Sequence, residues 1–168
     1  KGIVCDHMAL ANDYGNFSYR IQRWIGAKFA NKIIVLTEEN LKGYLKKYKI
    51  PNSRIDYIYN WIDFEYNKSS SSNSKKHIVT VGRFAYEKGY DYLIKIAEKV
   101  LSQQSDWVWD ICGEGDSQIK DQLENFIQKN QLEEKLILHG NVKDMSKIYS
   151  DSSIYVMTSR FEGLPLVL

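Results

Sequence analysis

His77-Ile78-Val79-Thr80-Val81-Gly82 is an apolar strand that stops on a glycine, and Tyr92, Leu93, Ile96, Ala97, Val100 and Leu101 follow at helical spacing. The unit then repeats. Trp107-Val108-Trp109-Asp110-Ile111-Cys112 ends at Gly113, and a stripe of Ile119, Leu123, Phe126 and Ile127 comes next. Leu136-Ile137-Leu138 runs to Gly140, a short helix is predicted near residues 143–150, and Ile154-Tyr155-Val156-Met157 closes the series. Four strands alternating with three helices predict half of a doubly wound parallel sheet.

The same alternation precedes it. Ile3-Val4-Cys5 is a short strand. Phe17, Ile21, Trp24, Ile25 and Phe29 predict an amphipathic helix over 16–30 packed on that stripe. Lys32-Ile33-Ile34-Val35-Leu36 is a buried strand, and Thr37 caps a helix with Glu38 and Glu39 in its positive first turn. That helix carries Leu41, Tyr44, Leu45 and Tyr48 on one face and ends before Pro51. Arg54 to Tyr59 is a further strand. Between the two halves, Lys68-Ser69-Ser70-Ser71-Ser72-Asn73-Ser74-Lys75-Lys76 has no face to bury. The expected organisation is 1–66, a Ser-rich linker over 67–76, and 77–168.

The 168 residues balance 23 basic against 21 acidic side chains, so charge gives no reason to expect a nucleic-acid partner. Cys5 and Cys112 end apolar runs far apart and read as two buried, reduced thiols of a cytoplasmic protein. No metal-ligand spacing of Cys or His occurs, no apolar run approaches a bilayer span of ~20 residues, and no signal peptide is visible.

In open α/β sheets ligands bind beyond the carboxyl ends of the strands. There stand Gly82-Arg83-Phe84-Ala85-Tyr86-Glu87-Lys88-Gly89, Gly113-Glu114-Gly115-Asp116, His139-Gly140-Asn141-Val142 and Thr158-Ser159-Arg160-Phe161-Glu162-Gly163-Leu164-Pro165. Arg83 and Lys88 flank a loop that opens a helix near Gly89, an arrangement suited to a diphosphate. On the residues alone the pair also reads as two surface cations. Glu162, before a glycine and near a proline, can accept hydrogen bonds from sugar hydroxyls or serve as a turn carboxylate. The glycines after 112 lack the full dinucleotide fingerprint, which argues against NAD.

Taken in order, these stretches resemble retaining glycosyltransferases of family four, also called group one, whose GT-B fold has two Rossmann-like parallel-sheet domains. Val35-Leu36-Thr37-Glu38 and Tyr59-Asn60-Trp61-Ile62-Asp63 resemble the end of that family's first domain, with Trp61 where a glycine is usual. The resemblance implies that 1–66 is the end of the acceptor-side domain and 77–168 the start of the nucleotide-sugar domain, both incomplete. Arg83 and Lys88 would hold the donor pyrophosphate in place of a metal, and no Asp-x-Asp motif occurs. Glu162 would bind the transferred sugar. Gly163, Leu164 and Pro165 would lend backbone groups to the sugar or phosphate. Gly82 belongs to the same phosphate loop, and Gly113, Glu114 and Val142 would lie near the base. His7, after the first strand, would face the donor sugar, although a histidine there is also an ordinary turn residue. The family's second glutamate would fall two residues past Leu168, and its first-domain glycine-rich loop before residue 1. The expectation is a central piece of the enzyme that is inactive alone.

The implied reaction moves a hexose or N-acetylhexosamine from a nucleotide diphosphate sugar, UDP-linked, to a saccharide or polyprenyl-linked acceptor with retention. The implied setting is bacterial surface polysaccharide synthesis, with no cofactor and no metal. Arg20, Arg23, Trp24, Lys28 and Phe29 on one helix, and Lys42, Lys46, Lys47 and Lys49 on the next, suit a peripheral contact with the inner membrane face, or an ordinary solvated surface. A nucleotide-sugar epimerase of the same fold and a non-catalytic nucleotide-sugar-binding protein remain as alternatives.

Overall fold

A computed structural model describes residues 2–10, 17–61 and 76–165. Ile62, Asp63 and the Ser-rich stretch, Lys76 apart, lie outside the described residues. Two compact units form, Lys1–Phe64 with Phe161–Leu166, and Glu65–Arg160 with Val167–Leu168.

The first unit holds β1 (Ile3–Asp6), α1 (Phe17–Phe29), β2 (Lys32–Val35), α2 (Glu38–Tyr48) and β3 (Ile55–Tyr57). The strands are parallel in the order β1-β2-β3. Ile33, Val35 and Ile55 are buried against Tyr44, with Leu41, Leu45 and Tyr48 packed around them. Thr37 caps α2 as expected, its hydroxyl accepting from the Asn40 N–H at 3.1 Å. Lys49 closes the helix in a left-handed conformation (φ 52°), donating its N–H to the Leu45 carbonyl.

Three expectations are corrected here. The stripe Phe17, Ile21, Trp24, Ile25 and Phe29 points outward, 40–71% exposed. α1 packs instead through Arg23, Gly26 and Ala27, because small residues let it approach the sheet; a Cβ on Gly26 would touch Val4. Cys5 is exposed rather than buried. The expected strand from Arg54 begins only at Ile55, after a 3₁₀ turn over Asn52–Arg54. Arg54 donates to the Ala27 and Ala30 carbonyls, satisfying acceptors that the end of α1 leaves open.

The second unit holds β4 (His77–Val81), a 3₁₀ turn (Tyr86–Lys88), α3 (Tyr90–Gln103), β5 (Val108–Cys112), α4 (Ser117–Lys129), β6 (Leu136–Gly140), α5 (Ser146–Asp151) and β7 (Ile154–Tyr155). All pairs are parallel, in the order β6-β5-β4-β7. The core joins Trp109 and Ile111 of β5 to Leu93, Ala97 and Leu101 of α3 and Leu123 of α4, each at most 1% exposed. Tyr92 and Ile96, expected on the buried stripe of α3, are 47% and 41% exposed, and Tyr90 is buried in their stead. Trp109 donates its indole N–H to the Thr80 hydroxyl at 3.0 Å, and that hydroxyl donates to the Val156 carbonyl at 2.8 Å. These bonds satisfy the buried Thr80 hydroxyl and the Trp109 indole N–H.

Candidate functional site

In the order β6-β5-β4-β7 the chain leaves β4 in one direction for β5 and β6 and returns on the other side as β7. The crevice between β4 and β7 is therefore the point where the strand order reverses, the usual ligand position in such sheets. The segment over residues 82–89 follows β4 and the segment over residues 156–160 follows β7, so these two stand at that crevice, whereas the segments from Gly113 and Asn141 follow β5 and β6.

Backbone bonds continue past the strand ends and fix these loops to one another. The Gly82 N–H donates to the Cys112 carbonyl at 3.0 Å, Phe84 N–H to Glu114 at 2.8 Å, Asp116 N–H to Phe84 at 2.9 Å and Gly113 N–H to Gly140 at 2.7 Å. The spacing leaves no room for side chains: a Cβ on Gly113 would overlap the Gly82 carbonyl, and one on Gly115 the Phe84 carbonyl. Tyr90, buried at the start of α3, donates its hydroxyl to the Gly82 carbonyl at 2.6 Å.

Arg83 is exposed and donates to Glu87 Oε1 at 2.7 Å. Lys88 is half-buried, and a Cβ added to Gly82 would lie 3.5 Å from its Cδ. Burial by itself would raise the Glu87 carboxyl; its own backbone N–H and the charges of Arg83 and Lys88 outweigh burial and hold it below the ordinary carboxylate range. Gly89 begins α3 in the left-handed region (φ 66°), where a Cβ would overlap the Thr158 carbonyl. The Thr158 hydroxyl donates to the Lys88 carbonyl at 3.0 Å. The end of the cationic turn after β4 thus lies directly against Thr158 of the segment after β7.

Glu114 accepts from the Asn141 N–H at 3.3 Å, tying the loop after β5 to the loop after β6, where Val142 is half-buried. A cleft of about 720 Å³ opens beside them, lined by Phe84, Gly113, Glu114, Gly115, Lys120, His139 and Gly140 among others. Arg83 and Lys88 are not part of its lining. Among the described residues no group of three or more His, Cys, Asp and Glu side chains could hold a metal.

In the first unit His7 is exposed and follows β1. A Cβ on Gly163 would overlap the His7 carbonyl, and Asn60 donates to the Leu164 carbonyl at 2.8 Å. Glu162 and Pro165, on the same segment, are half-buried.

The sequence profile of the family described as glycosyl transferases group 1 matches residues 62–168. The chain belongs to that family. A curated relative described as an uncharacterized glycosyltransferase of Haemophilus influenzae is 30% identical over all of this chain and 46% of its own length. The amylovoran biosynthesis glycosyltransferase AmsD of Erwinia amylovora is 28% identical over 99% of the chain and 47% of its own length. The chain therefore spans about half the length of these relatives. A crystal structure of a TarM mutant of S. aureus, in complex with fondaparinux, α-GlcNAc-glycerol and UDP, superposes with a TM-score of 0.78. It is 26% identical and covers 96% of this chain and 32% of the TarM chain. The α/β architecture is the GT-B type expected from the group 1 resemblance.

Periodicity did not reveal the polar residues that support these family segments. Asp6, at the end of β1, accepts from Arg23 Nε at 2.8 Å and from the Tyr44 hydroxyl at 2.6 Å. Arg23 also donates to the Met8, Ala9 and Leu10 carbonyls, and Asn40 accepts from the Leu10 N–H at 2.9 Å, so buried polar groups set the path of the loop that carries His7. In the second unit buried Asp110 lies 2.7 Å from both His77 Nδ1 and His139 Nε2, linking β4 and β6 across β5. A lone acidic residue inside an apolar strand was the available signal, since a buried carboxylate needs partners.

Proposed function

We propose that this chain is the central part of a group 1 glycosyltransferase, with the end of its acceptor-side domain over 1–66 and the start of its nucleotide-sugar domain over 77–168. The enzyme moves a hexose or N-acetylhexosamine from a UDP-linked sugar to a saccharide or lipid-linked acceptor, with retention, in bacterial surface polysaccharide synthesis. The observation that carries the reading is the placement of Arg83 and Lys88 on the segment between β4 and α3, at the crevice where the strand order reverses. Two cations and a helix N-terminus there balance the charge that grows on a departing nucleoside diphosphate, work that a divalent metal does in other transferases. Gly82, Gly113, Glu114 and Val142 border the same edge and would receive the phosphate and base. Glu162, Gly163, Leu164 and Pro165 would meet the sugar, with His7 facing it. UDP is favoured because TarM is described in complex with it, and a polysaccharide setting because AmsD is described in amylovoran biosynthesis.

A cytoplasmic protein seated on the membrane belongs to the same reading. It is supported by the outward aromatic face of α1, where Lys28 stands 4.8 Å over Trp24 and 5.4 Å over Phe29. Among the described residues no helix is long and apolar enough to cross a membrane.

Incubation of the intact protein with UDP-sugars, with and without saccharide acceptors, tests the function. Acceptor-dependent sugar transfer that falls in Arg83→Ala is the expected result. An altered UDP-sugar without transfer identifies an epimerase, and donor affinity without turnover identifies a binding protein; either overturns the transferase reading.

A further inference from the structure

Arg160 stands in the charged segment after β7, two residues before Glu162, and by sequence belongs with the ligand-facing groups. Its side chain is instead only 13% exposed. The guanidinium lies between two aromatic rings, 4.3 Å from the centroids of both Tyr86 and Tyr92. Nη1 donates to the Tyr86 carbonyl at 2.9 Å and Nη2 to Asp91 Oδ2 at 2.6 Å, while the Arg160 backbone N–H donates to the Glu87 carbonyl at 2.7 Å. These bonds all end on residues 86–91, the turn that carries Lys88 and the first turn of α3.

We propose that Arg160 is the positioning residue of the diphosphate loop. The inference rests on the assignment of Arg83 and Lys88 to the donor diphosphate. A 3₁₀ turn has poor hydrogen-bond geometry of its own, and Tyr86–Lys88 has no side-chain cap. Arg160 supplies what that turn lacks. It fixes the Tyr86 and Glu87 carbonyls from the β7 side, and with them Lys88 and the carboxylate that orients Arg83. Arginine suits the task because a planar guanidinium can stack between two rings while its N–H groups reach a carbonyl and a carboxylate; a lysine keeps the charge and loses the stacking and the fork.

The test compares wild type, Arg160→Ala, Arg160→Lys and Arg83→Ala in the intact protein, measuring UDP affinity by calorimetry and uridine affinity by NMR titration. Arg160→Ala weakens UDP binding and leaves uridine binding unchanged, with Arg160→Lys intermediate. Displacing a catalytic group by about 1 Å costs ~100-fold in rate, and donor kcat/KM in Arg160→Ala falls by up to that factor. Arg160→Lys keeps the ion pair with Asp91 and carries the comparison if the alanine variant does not fold. UDP affinity lost in Arg83→Ala but kept in both Arg160 variants overturns the positioning role alone. A loss as large for uridine as for UDP marks a collapsed site and also overturns it. UDP affinity unchanged in Arg83→Ala overturns the diphosphate assignment, and the positioning role with it.

Discussion

Arg83 and Glu87 form an ion pair at 2.7 Å across one turn of the loop after β4, with the Arg83 side chain 72% exposed and that of Glu87 28%. Under the proposed diphosphate assignment, the carboxylate orders the cation before the ligand arrives. Removing a preorganised charge-stabilising donor raises the barrier by about 2.7–4 kcal/mol. Arg83→Ala in the intact protein should lose turnover to that extent at saturating donor, as measured by nucleoside diphosphate release.

The same loop has a defined acid limit. Arg160 holds the Asp91 carboxyl below its ordinary 3.8, and the balance of groups around Glu87 holds its carboxyl below 4.5. Both are depressed in the folded protein, so their contribution is complete above the unfolded values and is lost as pH falls through the folded ones. Thermal midpoints should carry the full contribution of these pairs and vary little with pH near neutrality, and should decline once pH drops below the ordinary carboxylate range. Asp91→Asn should flatten its share of that decline, which calorimetry against pH would show.

Arg23 is 6% exposed and depends on Asp6 for its charge balance. Removing one partner of a buried pair leaves the other uncompensated and costs roughly 3–5 kcal/mol. Asp6→Ala should therefore destabilise the protein strongly in urea unfolding, and more than Tyr44→Phe, which removes one hydrogen bond worth about 1 kcal/mol.

At Gly89 a methyl group meets two penalties. The left-handed conformation disfavours any L side chain by roughly 1–2 kcal/mol, and the added Cβ overlaps the Thr158 carbonyl. Gly89→Ala should lower stability by more than the conformational cost alone and should reduce UDP affinity, read by denaturant titration and calorimetry.

Burial, followed by the charge of Asp110, pushes the Cys112 thiol up to about 11. It stays protonated at neutral pH and is buried, whereas Cys5 is exposed. Iodoacetamide should label Cys5 in the native protein and reach Cys112 only after unfolding, as followed by peptide mass spectrometry.

The strand–helix alternation was legible because buried parallel strands leave continuous apolar runs, as over His77–Val81, and because glycine must stand where neighbouring backbones touch, as at Gly113 against Gly82. Thr37 was readable as a cap because its hydroxyl acts on its own first turn. The partners of Arg160 were not readable. Tyr86, Asp91 and Tyr92 lie some seventy residues earlier, and spacing along the chain says nothing about a contact made by folding β7 beside β4.

Sequence alone was enough for the order of elements, the parallel sheets and the collection of Arg83, Lys88, Gly113 and Glu114 at one sheet edge, since these follow from periodicity and from the chain direction shared by parallel strands. It was not enough for the orientation of α1. Its aromatic stripe is periodic, and periodicity tells which residues share a face without telling which face meets the sheet. Packing settled that in favour of Arg23, Gly26 and Ala27, because Asp6 offers the guanidinium a buried partner and the small residues allow close approach to Val4. The division of labour among charges was likewise a matter of three-dimensional placement. Arg83 faces solvent at the crevice, whereas Arg160, equally charged and equally placed at a strand end, is enclosed by two tyrosines and an aspartate.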